Sequence, residues 1–204
     1  MDAELTLYTN PMSRGRIARW MLEEAGASYD VVLLDYATTM KAEPYLSVNP
    51  MAKVPAIVHR GRTVTECAAI CAYLAEAFPA AGLAPRDDER ADYYRWLFFA
   101  AGPVEAAVTN RSLGVEPTDQ QQRMAGYGSY DRVVDVLERA VAAHPFIAGD
   151  RFTAADVYVG SQVIWGAQFG SLPRRDAFDA YIARLTARDA YLRAAALDDT
   201  AMAA

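Results

Sequence analysis

Apolar and polar positions alternate in short segments near the start of the chain and follow helical spacing over most of the rest. Residues 5–8 alternate as a short strand, which Asn10-Pro11 ends. From Ser13 the apolar residues fall on one side of a helix that ends at Ala25-Gly26, and residues 29–34 form a second strand rich in Val and Leu. This order predicts a strand–helix–strand unit whose two strands are parallel, with a right-handed crossover.

The next segments continue the same kind of pattern. A short helix is expected near residues 42–46, followed by a strand at 54–59. A turn at 60–62 returns the chain as a hairpin partner at 63–65, and a helix follows over 66–78. The predicted order of the first half is therefore β-α-β-α-β-β-α.

Beyond residue 80 the pattern changes to helices alone. Pro79, Gly82 and Pro85 with the charges that follow indicate a linker. We therefore predict an α/β domain at 1–80, a linker at 81–87 and an all-helical domain at 88–204. The predicted helices are 88–111, which Pro103 should kink, 119–143, 154–166, 176–187 and 189–197.

Composition narrows the classes of function. Of 204 residues, 53% are hydrophobic and 23% are charged, which is typical of a folded soluble protein. The net charge of −6 argues against a nucleic-acid partner and against an anionic membrane surface. The acidic start, Met1 to Glu4, does not resemble a secretory signal, and Cys67 and Cys71 lack metal-ligand spacing, so we expect a reducing cytoplasm.

Four segments resemble signature segments of the cytosolic glutathione S-transferase family, in that family's order and spacing. They are YTNPMSR at 8–14, NPMAKVPA at 49–56, TECAAI at 65–70 and GDRFTAAD at 149–156. The resemblance implies a thioredoxin-like first domain, a helical second domain and a bacterial-like, serine-type active site. The fourth segment includes Thr153 and Asp156, which have the form of a capping box that helps the second domain to fold.

The resemblance also implies how glutathione would be bound. A cis peptide at Val54-Pro55 would turn the main chain of Val54 toward the cysteinyl part of the tripeptide. Without the family, Pro55 would be only a proline at the start of a strand. Glu66 and Cys67 begin a helix, where free N–H groups attract the γ-glutamyl carboxylate.

Two further features of the expected glutathione site each allow an alternative interpretation. Cys67 stands where the family usually has Ser, so a thiol, a weaker donor, replaces the hydroxyl. Lys41 and Lys53 could pair with the glycine carboxylate and main chain of the tripeptide. Alternatively Cys67 is a small buried residue and each lysine is only solvated.

Thiol activation is expected from Ser13, which follows the first strand and opens the first helix. One hydroxyl donating to the sulfur, with help from a helix start, can favour the thiolate. Asn10 is the competitor, because it falls at the catalytic tyrosine position if residues 14–16 are aligned with tyrosine-type members. Tyr8 is expected to pack against the sheet, and the plain alternative for Ser13 is a helix N-cap.

The second substrate, a small hydrophobic electrophile, is expected between the domains. Its candidate lining residues are Met12, Trp96, Phe99, Pro103, Arg111 and Trp165. Aromatic residues at helical spacing are often core residues instead, and this alternative stays open for each of them.

The sequence therefore predicts a homodimeric detoxification enzyme that uses glutathione as co-substrate and no metal. Two alternatives stay open at this point. One is a non-catalytic member of the same fold that binds glutathione or a protein. The other is a glutathione-dependent isomerase or dehalogenase.

Overall fold

The computed structural model describes residues 4–203, so Met1, Asp2 and Ala3 of the acidic start lie outside the described residues. The elements of the first part follow the predicted order. They are β1 (Leu5–Thr9), α1 (Gly15–Ala25), β2 (Asp30–Leu33), a 3₁₀ turn (Thr39–Lys41), α2 (Tyr45–Val48), β3 (Ala56–His59), β4 (Arg62–Thr65), α3 (Cys67–Ala77) and a second 3₁₀ turn (Pro79–Ala81).

The four strands form one mixed sheet in the order β2-β1-β3-β4. β1 is parallel to β2, whereas β3 pairs antiparallel with both β1 and β4. Leu5 and Leu7 of β1 and Ile57 of β3 are buried, as alternation predicts for strands with a covered face. The predicted β-α-β-α-β-β-α order is confirmed, and the Val54-Pro55 peptide is cis.

Helices α1 and α3 pack together beside this sheet. α1 is amphipathic, and its apolar side, including Ile17, Trp20 and Met21, is buried. It ends at Gly26, whose φ of 62° is in the left-handed region that glycine adopts without steric cost. The predicted stop at Ala25-Gly26 is therefore confirmed.

The second part of the chain is helical. Its elements are α4 (Arg90–Phe99), a π-helical segment (Ala100–Val104), α5 (Glu105–Ser112), α6 (Asp119–Gln122), α7 (Tyr130–Ala143), α8 (Ala154–Phe169), α9 (Asp176–Thr186) and α10 (Asp189–Ala203). Pro103 lies inside the π-helical segment. Proline has no N–H to donate to the α-helical hydrogen-bond ladder, so the regular α-helix is interrupted there.

One predicted helix was wrong. The segment 119–143 is two helices, because the chain breaks at residues 123–129, where Gly128 has a φ of 69°. The Ser129 side chain then accepts a hydrogen bond from the Arg132 N–H and caps α7. The helix predicted at 189–197 is longer than expected and extends to Ala203.

The chain forms two compact units. The first contains the residues up to Ala84 together with those from Ala187 onward, and the second is Pro85–Thr186. Within the first unit α10 packs along α1. Over residues 4–203 no helix is long and apolar enough to cross a membrane.

Candidate active site

The strand register brings three of the sequence motifs to one edge of the sheet, at the level where the central strand β1 ends and its neighbour β3 begins. Tyr8 lies opposite Ala56, so continuing the antiparallel register puts Pro55 opposite Thr9 and Val54 opposite Asn10. Ala56 also pairs with Thr65 on its other side, immediately before α3 begins. The turn after β1, the segment before β3 and the start of α3 are therefore neighbours.

Ser13 lies in the turn that leads from β1 into α1. Its Oγ donates a hydrogen bond to the Asn10 carbonyl (2.6 Å) and accepts one from the Gly15 N–H (2.8 Å). The side chain is half-buried. The hydroxyl oxygen is thus held by a main-chain donor at the helix start, while its proton is bonded to a carbonyl that a stronger acceptor can replace.

Asn10 connects the ends of the two parallel strands. Its Nδ2 donates to the Leu34 carbonyl (2.8 Å), and its Oδ1 accepts from the Met12 N–H (2.8 Å). Both ends of the amide therefore hold the local main chain. Ser13 and Asn10 lie together: the Ser13 proton can leave its acceptor without breaking a link between strands, whereas one Asn10 N–H holds such a link and its second N–H has no partner among residues 4–203.

The segment before β3 is organised by a buried asparagine. Asn49 is 5% exposed, donates to the Lys53 carbonyl (2.8 Å) and accepts from the Met51 N–H (3.1 Å). The Tyr45 hydroxyl also donates to the Lys53 carbonyl. Among residues 4–203 the main-chain N–H and C=O of Val54 have no hydrogen-bond partner.

Helix α3 begins without a side-chain cap. Glu66, which precedes it, has a φ of 64° and an exposed side chain. The N–H groups of Ala68 and Ala69 have no partner within the described chain. Cys67 is buried, and its Sγ lies 3.7 Å from the Arg14 carbonyl, next to Ser13. The electropositive start of α3 therefore lies beside the Ser13 turn.

The two candidate lysines are exposed and form no ion pair within residues 4–203. Lys53 directly precedes Val54. Lys41 follows Met40, and Met40 belongs to an apolar cluster against which Val54 packs. Both lysines are therefore in segments that border the same sheet edge.

A groove of about 360 Å³ lies beside the β1–α1 turn, entirely within the first unit. It is lined by Asn10, Pro11, Met12, Leu33, Leu34, Asp35, Ala201 and Met202. The Thr38 hydroxyl, which donates to the Asp35 carboxylate, is the main cause of the lowered pKa of that group. Met12 is thus the one candidate electrophile residue that borders this groove.

The other candidate electrophile residues lie in the second unit. Trp96 is buried and packs edge-to-face on Phe99, and the Arg111 guanidinium lies 4.1 Å from the centre of the Tyr130 ring. Pro103 and Trp165 are half-buried. Their contribution to electrophile binding stays a prediction.

Sequence reasoning missed two features of the site. The Asn49 amide was part of a quoted motif, but its type gave no sign of burial. Arg16 was noted only as part of an alignment, whereas its Nε donates to the Pro11 carbonyl and its Nη2 to Asp199. The Arg16 and Asp199 side chains meet although 183 positions separate them in the sequence, and such a contact leaves no periodic signal in the residues around either one.

Buried thiols and metal-type clusters add nothing further to this site. Burial raises the pKa of the Cys71 thiol well above its ordinary value, which makes it a poor nucleophile. Within the described chain, no cluster of three or more His, Cys, Asp or Glu side chains could hold a metal ion.

Comparison with known proteins gives consistent matches. Residues 3–76 match the family described as glutathione S-transferase, N-terminal domain, and residues 119–184 match the corresponding C-terminal domain. Glutathione S-transferase GST-4.5 of Xanthomonas campestris is 28% identical, over 94% of this chain and 97% of that protein. Glutathione S-transferase 3 of Zea mays is 30% identical, over 76% and 74%. A solved sphingomonad glutathione S-transferase, complexed with glutathione, aligns with a TM-score of 0.76 and 28% identity over 95% and 98%.

Proposed function

The chain belongs to the glutathione S-transferase family, and we propose that it joins the sulfur of glutathione to small hydrophobic electrophiles, with Ser13 activating the thiol. The observation that carries this proposal is that the Ser13 turn lies beside the start of α3, where the Ala68 and Ala69 N–H groups have no partner among residues 4–203. A hydroxyl donor and a helix N-terminus both favour an anion.

Glutathione fits this edge as an extended peptide. The unpaired N–H and C=O of Val54, next to Pro55, offer one strand-like pairing to its cysteinyl residue. The start of α3, at Glu66 and Cys67, has no side-chain cap, and its main-chain N–H groups bind the γ-glutamyl carboxylate. The exposed ammonium groups of Lys41 and Lys53 attract its glycine carboxylate.

The energy required for thiol activation is within the reach of Ser13. A free thiol has a pKa of about 8.5, and lowering that pKa by about two units needs about 2.7 kcal/mol of selective stabilisation of the thiolate. A hydrogen bond to a charged acceptor contributes about 1.5–3 kcal/mol, and a helix start about 0.3–1 kcal/mol. The Ser13 proton would turn from the Asn10 carbonyl to the sulfur, while the Gly15 N–H keeps its bond to Oγ.

The reaction then needs few other groups. The thiolate attacks the electrophilic carbon, the carbon–sulfur bond forms, and the leaving group departs with the electrons of its former bond. For an aryl halide the leaving group is a halide ion that needs no proton. The protein therefore contributes thiolate stabilisation and positioning rather than a separate acid.

The electrophile is expected in the groove beside Met12. Its walls are largely apolar, and the thioether side chains of Met12 and Met202 can adapt to varied shapes. The ionised Asp35 at its border disfavours electrophiles that carry a negative charge. A homodimer in the cytoplasm completes the proposal, by analogy with the family.

The decisive experiment compares Ser13→Ala and Asn10→Ala with a matched hydroxyl control. Ser112→Ala removes a hydroxyl that donates to the carbonyl three residues earlier, as Ser13 does, but far from the site in sequence. Turnover of chlorodinitrobenzene is measured from pH 6 to 9. Ser13→Ala should lower kcat about 10- to 150-fold at pH 6.5, matching the loss of one such hydrogen bond.

The outcomes separate the alternatives. In Ser13→Ala the apparent pKa of the rate should rise toward that of the free thiol, whereas Ser112→Ala should match the parent protein. An unchanged profile in Ser13→Ala with a changed one in Asn10→Ala would transfer the role to Asn10. Retention on immobilised glutathione without any turnover by the parent protein would leave only a binding function.

A further inference from the structure

The Arg16 side chain joins the turn that carries Ser13 to the last turn of α10. Arg16 Nε donates to the Pro11 carbonyl (2.6 Å), and its Nη2 donates to Asp199 Oδ1 (2.7 Å) and contacts Met202 Sδ (3.0 Å). The Arg16 main-chain N–H also donates to the Ser13 carbonyl (3.3 Å). One residue thus contacts both sides of the groove beside Met12.

We propose that Arg16 is a positioning residue for the electrophile, acting through Pro11 on one wall of the groove and through Met202 on the other. This inference rests on the proposed transferase function, because it concerns the second substrate of that same reaction. Arg16 does not line the groove itself and is three-quarters shielded, at 27% exposure. It therefore acts through its neighbours.

The last turn of α10 depends on this contact. Outside their own helix, residues 199–203 form hydrogen bonds to Arg16 and to no other described residue. The next anchor is the buried Arg19–Asp198 ion pair (2.8 Å), at the base of that turn. Ala201 and Met202, which line the groove, lie beyond that anchor.

The geometry requires arginine rather than a generic cation. The planar guanidinium presents donors in several fixed directions, so it can satisfy a carbonyl and a carboxylate at once. A lysine at the same position, with one ammonium group on a flexible side chain, could bind the Pro11 carbonyl or the Asp199 carboxylate firmly, but not both. Arg16 is also the second residue of α1, whose buried face fixes the start of its side chain.

Steady-state kinetics of Arg16→Met with glutathione and chlorodinitrobenzene tests the proposal. The KM for the electrophile should rise about five- to tenfold, because the loss of charge-assisted hydrogen bonds loosens both groove walls. The KM for glutathione should stay within about twofold, because the groups expected to bind its main chain and carboxylates, at Val54, the start of α3 and the two lysines, lie on other segments. Arg16→Lys should recover part of the loss.

A matched control removes another ion pair between the same two helices. Arg193 pairs with Glu23 (3.3 Å) but contacts neither the β1–α1 turn nor Met202. Arg193→Met should leave both KM values unchanged. If it reproduced the effect of Arg16→Met, general docking of α10 would explain the change and the proposal would be overturned.

Two further variants keep the test informative if Arg16→Met does not fold. Asp199→Asn alters an exposed carboxylate and should raise the electrophile KM about two- to threefold. In a Met202→Ala background the effect of Arg16→Met or Arg16→Lys should shrink, because one of the groups through which Arg16 acts is gone. Full additivity, or equal changes in both KM values, would overturn the proposal. Absence of turnover in the parent protein would instead overturn the proposed function.

Discussion

At the residue scale, Asp156 shows how a sequence motif acquires its partners. Its Oδ2 accepts from the Thr153 N–H, as a capping box predicts, and also from the Thr153 hydroxyl. Its Oδ1 accepts from the Ile147 N–H and the Tyr181 hydroxyl (both 2.7 Å), and no local motif indicates either partner. A fully buried carboxylate thus joins α8 to α9 and to the loop before α8.

We expect Asp156 to make the stability of the protein depend on pH. Burial raises the pKa of its carboxyl from 3.8 to about 6, although the four hydrogen bonds favour ionisation. Because the folded-state pKa is raised, this group stabilises the fold fully below about pH 4 and less as pH rises toward 6. Asp156→Asn should remove that loss, so its unfolding free energy should fall about 2 kcal/mol less between pH 4 and 7.

Urea unfolding at pH 4, 5, 6 and 7 measures this difference. The absolute stability of Asp156→Asn should be lower at every pH, because the amide cannot accept every hydrogen bond that the carboxylate accepts. Parallel pH curves for the two proteins would contradict the expected role of Asp156.

At the element scale, the junction between β1 and α1 depends on close approach. A Cβ added to Gly15 would lie 1.8 Å from Thr9 Oγ1 and 2.9 Å from Ser13 Oγ. Glycine is therefore needed here for space and not for an unusual φ. The same close approach keeps the Ser13 turn against the end of the strand.

Gly15→Ala should destabilise the protein and displace the Ser13 turn. Overpacking typically costs about 1–3 kcal/mol, which corresponds to a Tm lower by about 3–10 °C in a chain of this size. Gly102→Ala is the matched control, because a Cβ there meets nothing within 4 Å. That variant should keep or slightly raise the Tm. Equal melting temperatures for the two variants would show that the junction can relax.

Sequence patterns predicted the elements more securely than their ends. α1 and α9 follow helical periodicity, and turn residues bound the strands, both of which a short window of sequence contains. The segment 119–143 was wrong because a helical pattern on both sides concealed the break, although Gly126 and Gly128 lay inside it. α10 extends beyond residue 197 because its contacts with α1 continue to Met202.

At the scale of the whole molecule, the last helix belongs to the first unit. Trp20 of α1 packs edge-to-face on Tyr191 of α10, and buried Arg19 pairs with buried Asp198. Arg188 also forms an ion pair with Glu24 (2.6 Å). These contacts cover part of α1, and they join residues more than 160 positions apart in the sequence.

A chain that ends after Thr186 should therefore lose stability in its first unit. Exposing a large buried side chain such as Trp20 costs about 1.5–3 kcal/mol. Hydrogen exchange should become faster in α1 and stay slow in α8, which lies in the second unit. A chain that ends after Asp199 keeps the Arg19–Asp198 pair and should retain slow exchange in α1. Equally slow exchange in α1 of the shorter chain would refute the dependence.

The sequence by itself determined the order of strands and helices and the family, because periodicity, turn residues and motif spacing are local properties. It also brought Ser13, Val54, Pro55, Glu66 and Cys67 into one hypothesis, since each lies in a recognisable motif. Only the tertiary structure decided that both ends of the Asn10 amide are occupied and that Arg16 contacts Met202. Such contacts depend on how distant segments pack, and nothing in a local stretch of residues encodes the identity of a partner more than 180 positions away.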